Sequence, residues 1–154
     1  MSTPHEPALR PATRADLPAV LALIAGEDGV VDPAAVEVTD AHERAFASIE
    51  ADPRNEVLVL AEASGDVVGC LQVTRIPGLG KGGAERALIE AVRIRADLRG
   101  AGLGRTLIRR TLDRAREQGC ALAQLTSNKS RTDAHRFYTS LGFEASHEGF
   151  KLPL

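Results

Sequence analysis

The sequence predicts an α/β (α+β) fold on a mixed sheet, and three observations predict it. Apolar residues recur with period two in some stretches and near period 3.6 in others. Those stretches follow the order β-αα-βββ-α-β-α-ββ, which a mixed sheet with helices on both faces accommodates. The chain has 154 residues, 44% apolar and 26% charged, the length and composition of a single globular domain with a sizeable core.

Residues 1–7 are expected to be a flexible terminus, and 8–154 the domain. Ala8 to Arg10 reads as a first strand. Thr13-x-x-Asp16 has the pattern of a capping box, and Pro18 suits a first helical turn. Leu17, Val20, Leu21 and Ile24 then mark one buried helical face, ended by Gly26. A second helix is expected from about Asp40 to Glu50, with Ala45, Phe46 and Ile49 inward. Val57 to Ala61 and Val67 to Ile76 are strands joined by a hairpin at Ser64-Gly65-Asp66. Pro77 to Gly83 is a flexible loop, followed by a strand from Ala87 to Arg95. A helix from Gly102 to Gln118 places Leu103, Leu107, Leu112 and Ala115 inward. Cys120 to Thr126 reads as a buried strand, and Ser130-x-x-Asp133 as the cap of a helix from Ala134 to Ser140. Two closing strands are expected, one from Phe143 and one from Phe150 to Leu154.

Composition narrows the function. Net charge is −2 and aromatic residues are 3%, so neither a basic face nor stacking rings point to nucleic acid. No apolar run approaches a membrane span, and the first residues lack a signal peptide's apolar stretch. Cys70 and Cys120 lie in apolar runs and read as reduced core residues. These features together predict a cytoplasmic location. His135 and His147 have no partner at ligand spacing, so no metal is expected.

The most informative stretch is Glu90 to Arg105: a strand, a glycine-rich turn and a helix start. Gly100, Gly102 and Gly104 remove side chains where backbone must approach a ligand. The first-turn amides of a helix have no intrahelical partner and favour phosphate. From Arg93 to Arg116 there are eight arginines against two aspartates, a net of +6. A di- or polyphosphate ligand fits these features; a solvated basic helix face also would. The spacing is neither Gly-x-Gly-x-x-Gly nor that of a P-loop.

Arg99-x-x-Gly102-x-Gly104 after a strand resembles the acyl-CoA-binding motif of the GNAT superfamily of N-acyltransferases. Ala134-His-Arg-Phe137-Tyr138-Thr-Ser-Leu141-Gly142-Phe143 is similar to that family's C-terminal helix motif. The resemblance covers most of the chain and is weakest from Gly26 to Glu56. It implies a mostly antiparallel sheet with one splayed parallel pair, and acetyl-CoA as co-substrate. The residues it implies around that co-substrate are Val92, Arg93, Ile94, Arg99, Gly100, Ala101, Gly102, Leu103, Gly104, Arg105, Asn128, Arg131 and Phe137. Many members carry asparagine seven residues before the tyrosine. Here that position is Arg131, with Asn128 ten before. Many members also dimerise, so a homodimer is expected.

The resemblance implies direct acyl transfer to a primary amine of a small molecule. The alternatives are a non-catalytic acyl-CoA sensor and an enzyme modifying a protein amine. Tyr138 occupies the family's general-acid position; it also lies on a helical face with Ala134, Phe137 and Leu141 that a core aromatic would occupy. Glu90 is the candidate base, because a carboxylate in an apolar strand is costly unless it lines a cleft, where burial would raise its pKa. An ion pair with Arg93 is the competing reading. Glu27 and Asp28 are the next candidates and border the expected acceptor site. From Gly26 to Asp66, eleven acids face two arginines, a net of −9. That excess would attract a cationic amine or simply solvate the surface.

Overall fold

The computed structural model describes residues 5–154. Of the expected flexible terminus, residues 1–4 lie outside this range. The described residues form two compact units, one ending at Gln124 and one spanning Leu125–Leu154. The first unit holds five strands: β1 (Ala8–Pro11), β2 (Asn55–Ala61), β3 (Val67–Ile76), β4 (Glu85–Ile94) and β5 (Cys120–Gln124). Its helices are α1 (Leu17–Ala25), α2 (Asp40–Ala51) and α3 (Leu103–Glu117). The second unit carries α4 (Thr132–Ser140).

The strands pair in chain order, antiparallel from β1 to β4 and parallel between β4 and β5. Alternation divides the sheet into two faces. On one face Val59 of β2 and Cys70 of β3 form a core with Val20 and Leu23 of α1. On the other, Leu58, Leu60, Leu71 and Ile89 are buried, each burial contributing roughly 1.5–3 kcal/mol. Glu56 shares that second face by parity, and its carboxylate receives Arg114 of α3 at 2.7 and 2.9 Å. Helices α1 and α3 therefore cover opposite faces, as expected.

Local signals explain most boundaries. The Thr13 amide donates to Asp16 Oδ2 at 2.7 Å, the expected box, and Arg10 forks onto the same carboxylate at 2.7 and 3.0 Å. Helix α2 is capped by Thr39, the residue before Asp40, whose Oγ1 accepts from the His42 amide while Thr39 N–H donates to His42 Nδ1. His42 is thus half-buried and held, not a free surface residue.

Several expectations are corrected. Leu23, not Ile24, meets the sheet from α1; Ile24 is 41% exposed in the last turn. Phe46 is the buried residue of α2, and Ala45 is exposed. The buried set of α3 is Leu107, Ile108, Thr111 and Ala115; Thr111 is accommodated because its hydroxyl donates to the Leu107 carbonyl at 2.8 Å. Strand β5 is half-buried to exposed, because it pairs with β4 alone and sits at the edge of the sheet. Ser130 does not cap α4: Asn128 Oδ1 accepts both its amide (3.0 Å) and its hydroxyl (2.8 Å), a local turn that competes with the cap.

The two closing strands do not form. Residues 141–154 contain no strand, and Phe150, Leu152 and Leu154 are exposed. Their period-two pattern is a genuine strand signal, but a strand needs a neighbour to accept its backbone hydrogen bonds. Pro153 also removes one donor.

Candidate active site

The parallel pairing of β4 with β5 runs from Glu85 opposite Cys120 to Leu88 opposite Gln124. Strand β4 then continues to Ile94 with no partner on that side among the described residues, as expected of a splayed pair. Within this free stretch lies a bulge. Cys70 pairs with Arg93 and Gln72 with Glu90, so Leu71 faces both Ala91 and Val92. Ala91 adopts φ +52°, in the left-handed region that costs a non-glycine residue roughly 1–2 kcal/mol. The extra residue reverses the parity of the strand. Glu90 and Arg93, three apart, therefore share one face with Gln72 and Cys70. Nothing in the sequence marks Ala91 as a bulge; a glycine there would have.

Glu90 is exposed on this stretch, so the burial expected to activate it is not present. The physical reason is the splay, which leaves β4 uncovered on its outer side. Glu90 makes no ion pair with Arg93 among the described residues. Arg93 instead donates from Nη1 to the Val92 carbonyl at 2.9 Å, and its buried Nε has no acceptor. Beside it, burial pushes the Cys70 thiol up to about 12, with Arg93 pulling weakly the other way. A thiol so placed is no nucleophile near neutral pH. Cys120 is half-buried, its thiol also raised by burial; the two cysteines are not paired.

Beyond Ile94 a short turn at Ala96–Leu98 leads into the glycine loop. Gly100 has φ +82°, and Gly102, the residue before α3, has φ +85°. A Cβ at either would meet nothing within 4 Å. The left-handed backbone is what favours glycine at both positions. The first intrahelical bond is Thr106 N–H to the Gly102 carbonyl at 3.1 Å. The amides of Leu103 and Gly104 precede it in the first turn, where a helix's own carbonyls do not reach, an anion-binding donor set.

The basic charge around this loop is less available than the count of arginines suggests. Arg95 pairs with Asp97, Arg110 with Glu6, Arg114 with Glu56 and Arg116 with Asp113. Arg110 also bonds the Pro7 carbonyl. Arg99 reaches the end of α1, donating to the carbonyls of Glu27 (2.8 Å) and Gly26 (3.2 Å), and to Ile94 O at 3.3 Å. The structure thereby brings Glu27 and Asp28, both exposed, beside the glycine loop.

In the second unit, the Arg131 amide donates to the Asn128 carbonyl at 3.0 Å, and His135 Nε2 bonds the same oxygen at 2.8 Å. Tyr138 is half-buried and stacks edge-on with Phe137 (5.2 Å between centroids) and Phe143 (5.8 Å). Its carbonyl accepts from the amides of Leu141 and Phe143. Ser127 Oγ is buried without a partner, a residue the sequence offered no reason to single out. Among the described residues, no three of His, Cys, Asp and Glu gather as a metal cage, and no helix is long and apolar enough to cross a membrane.

Strand β4 extending past its parallel partner, a left-handed glycine turn and a donor-rich helix start thus follow one another in the first unit. Residues 22–143 match the model of the acetyltransferase (GNAT) family, and the chain belongs to that family. It is 40% identical over 53 residues to the aminoalkylphosphonate N-acetyltransferase of Salmonella typhimurium, covering 34% of each chain. It is 32% identical over 93 residues to the glucosamine 6-phosphate N-acetyltransferase of Trypanosoma brucei brucei, covering 60% of this chain and 61% of the relative. These matches span about a third and about three fifths of the relatives' own lengths. Among solved structures, one described as a transcriptional regulator from Bacillus halodurans aligns with TM-score 0.86 at 40% identity, over 96% of this chain and 99% of that one.

Proposed function

We propose that the protein is an N-acetyltransferase that moves an acetyl group from acetyl-CoA to a primary amine of a small molecule. The observation that carries this reading is the donor set at the start of α3, presented by the left-handed Gly100 and Gly102 at the open end of β4. The residues present fit acetyl-CoA. The α3 amides suit its pyrophosphate, and the unpartnered Arg93 Nε, on the part of β4 that extends past its pairing with β5, suits a carbonyl oxygen of its arm. Gly100 to Arg105 hold the phosphates, with Val92 to Ile94 alongside the arm and Asn128, Arg131 and Phe137 supplying the remaining contacts.

Acetyl-CoA supplies an acyl carbon activated as a thioester. Glu90, directly or through water, takes the proton of the acceptor's ammonium. The amine nitrogen then bonds to the acyl carbon and the carbon–sulfur bond breaks. Tyr138 donates its phenolic proton to the departing sulfur, and the second proton the nitrogen sheds as the amide forms returns through water to the phenolate. Glu27 and Asp28 border the acceptor. The same reading has the protein working in the cytoplasm as a homodimer, paired through the apolar Phe150–Leu154 segment, with no nucleic-acid partner.

The test is a screen of amines with acetyl-CoA, following release of free thiol. Aminoalkylphosphonates and glucosamine 6-phosphate come first, because matched relatives carry those activities in their names. One observation favours a second reading, a non-catalytic acyl-CoA sensor: the Bacillus halodurans protein is described as a regulator. Tight coenzyme A binding with no thiol release above the amine-free rate, across small amines and lysine peptides, would support the sensor.

A further inference from the structure

Arg99 sits in the phosphate loop, yet its guanidinium does not face solvent alone. It bonds the carbonyls of Gly26 and Glu27, where α1 ends, and that of Ile94, where β4 ends. Those first two carbonyls lie at the negative end of the α1 dipole, which a cation stabilises. The bend they belong to is tight. A Cβ on Gly26 would come within 2.7 Å of the Gly29 carbonyl and 2.9 Å of that of Ala22, so only glycine permits the chain to fold back there. Glu27 and Asp28 stand at the exposed tip of this bend.

Resting on the acyl-CoA reading above, we infer that Arg99 is a positioning residue that couples the two halves of the site. Its fork fastens the Gly26–Gly29 bend, the acceptor side, to the loop that holds the phosphates. Ordering the loop orders the bend, and by linkage an acceptor that settles the bend tightens acetyl-CoA binding by the same factor. Lysine cannot replace the arginine, because one ammonium on a flexible stem does not present a planar set of donors to three separate carbonyls.

Amide hydrogen exchange on the full chain tests this, with coenzyme A as the probe and Arg99→Ala and Arg99→Lys as variants. In the wild type, coenzyme A should slow exchange at residues 100–105 by direct contact. It should also slow exchange at 26–31, by roughly tenfold, within the usual range for coupled sites. In Arg99→Ala, at a coenzyme A concentration raised until it saturates the variant, the slowing at 100–105 should be present while that at 26–31 is absent. If the alanine variant does not fold, Arg99→Lys carries the test, with slowing at 26–31 expected to shrink at least threefold. Slowing at 26–31 equal to wild type in the variant overturns the inference. So does wild-type protection at 100–105 with unchanged or faster exchange at 26–31. Protection at neither segment in the wild type removes the acyl-CoA reading itself, and the coupling with it.

Discussion

Tyr138 carries the most discriminating test at the scale of one residue. Its ring contacts with Phe137 and Phe143 are edge-on and would survive loss of the hydroxyl. Tyr138→Phe is therefore expected to keep acetyl-CoA affinity and to lower turnover by about 10²–10⁴-fold, the range for a positioned general acid. A tyrosine that only fills the core would instead keep its turnover and lose roughly 1 kcal/mol of stability. Turnover and melting temperature measured on one preparation separate these outcomes. Glu90 is a different case, being exposed. Glu90→Gln should remove the acidic limb of the pH–rate profile or lower the rate throughout, with acetyl-CoA affinity unchanged. If profile and rate both stay as in the wild type, the proton goes to Glu27, Asp28 or water.

At the scale of elements, the glycine turn depends on one backbone state. Gly102 at φ +85° begins α3, and a side chain there meets no steric obstacle, so the conformation alone penalises substitution. Gly102→Val should leave the fold intact by circular dichroism and weaken coenzyme A binding about tenfold or more in calorimetry, as the loop relaxes and its amides turn away. Unchanged affinity would mean that the phosphates bind elsewhere. The bulge at Ala91 shows the opposite arrangement, a strained non-glycine held by the register on either side.

At the scale of the molecule, ion pairs between distant segments set the response to acid. Hydrogen bonds from Arg10 hold Asp16 below the usual carboxylate range, and those from Arg114 do the same for Glu56. Both folded pKa values lie below their unfolded ones, so the stability these groups contribute is present above the unfolded values and lost as pH falls through the folded ones. The melting temperature should be level down to about pH 5 and fall below about pH 4. Glu56→Gln should reduce that fall; an equal drop in wild type and variant would place the acid sensitivity elsewhere. Assembly is the second property of this scale. Phe150, Leu152 and Leu154 form an exposed apolar segment, and light scattering at assay concentration is expected to show a dimer. A monomer there would leave the segment without the proposed partner.

What the sequence determined by itself was local. The alternation of β2 and β3, the Thr13–Asp16 box, the turn at Gly65 and the helix after Gly102 each depend on residues a few positions apart. The family motif is likewise a short run read in order, so the glycine turn and Tyr138 could be singled out as candidates in advance. Tertiary structure decided what needs a distant partner. Arg114 meets Glu56 58 positions away, Arg99 turns from the loop to the end of α1, and Leu23 displaces Ile24 because the sheet meets that side of the helix. Ala91 became a bulge only through the register of β3, and this placed Glu90 and Arg93 on one face. Phe150 to Leu154 carries a strand's pattern without becoming one. Periodicity records which side of a segment is apolar, but the pairing energy that makes a strand resides in a second segment.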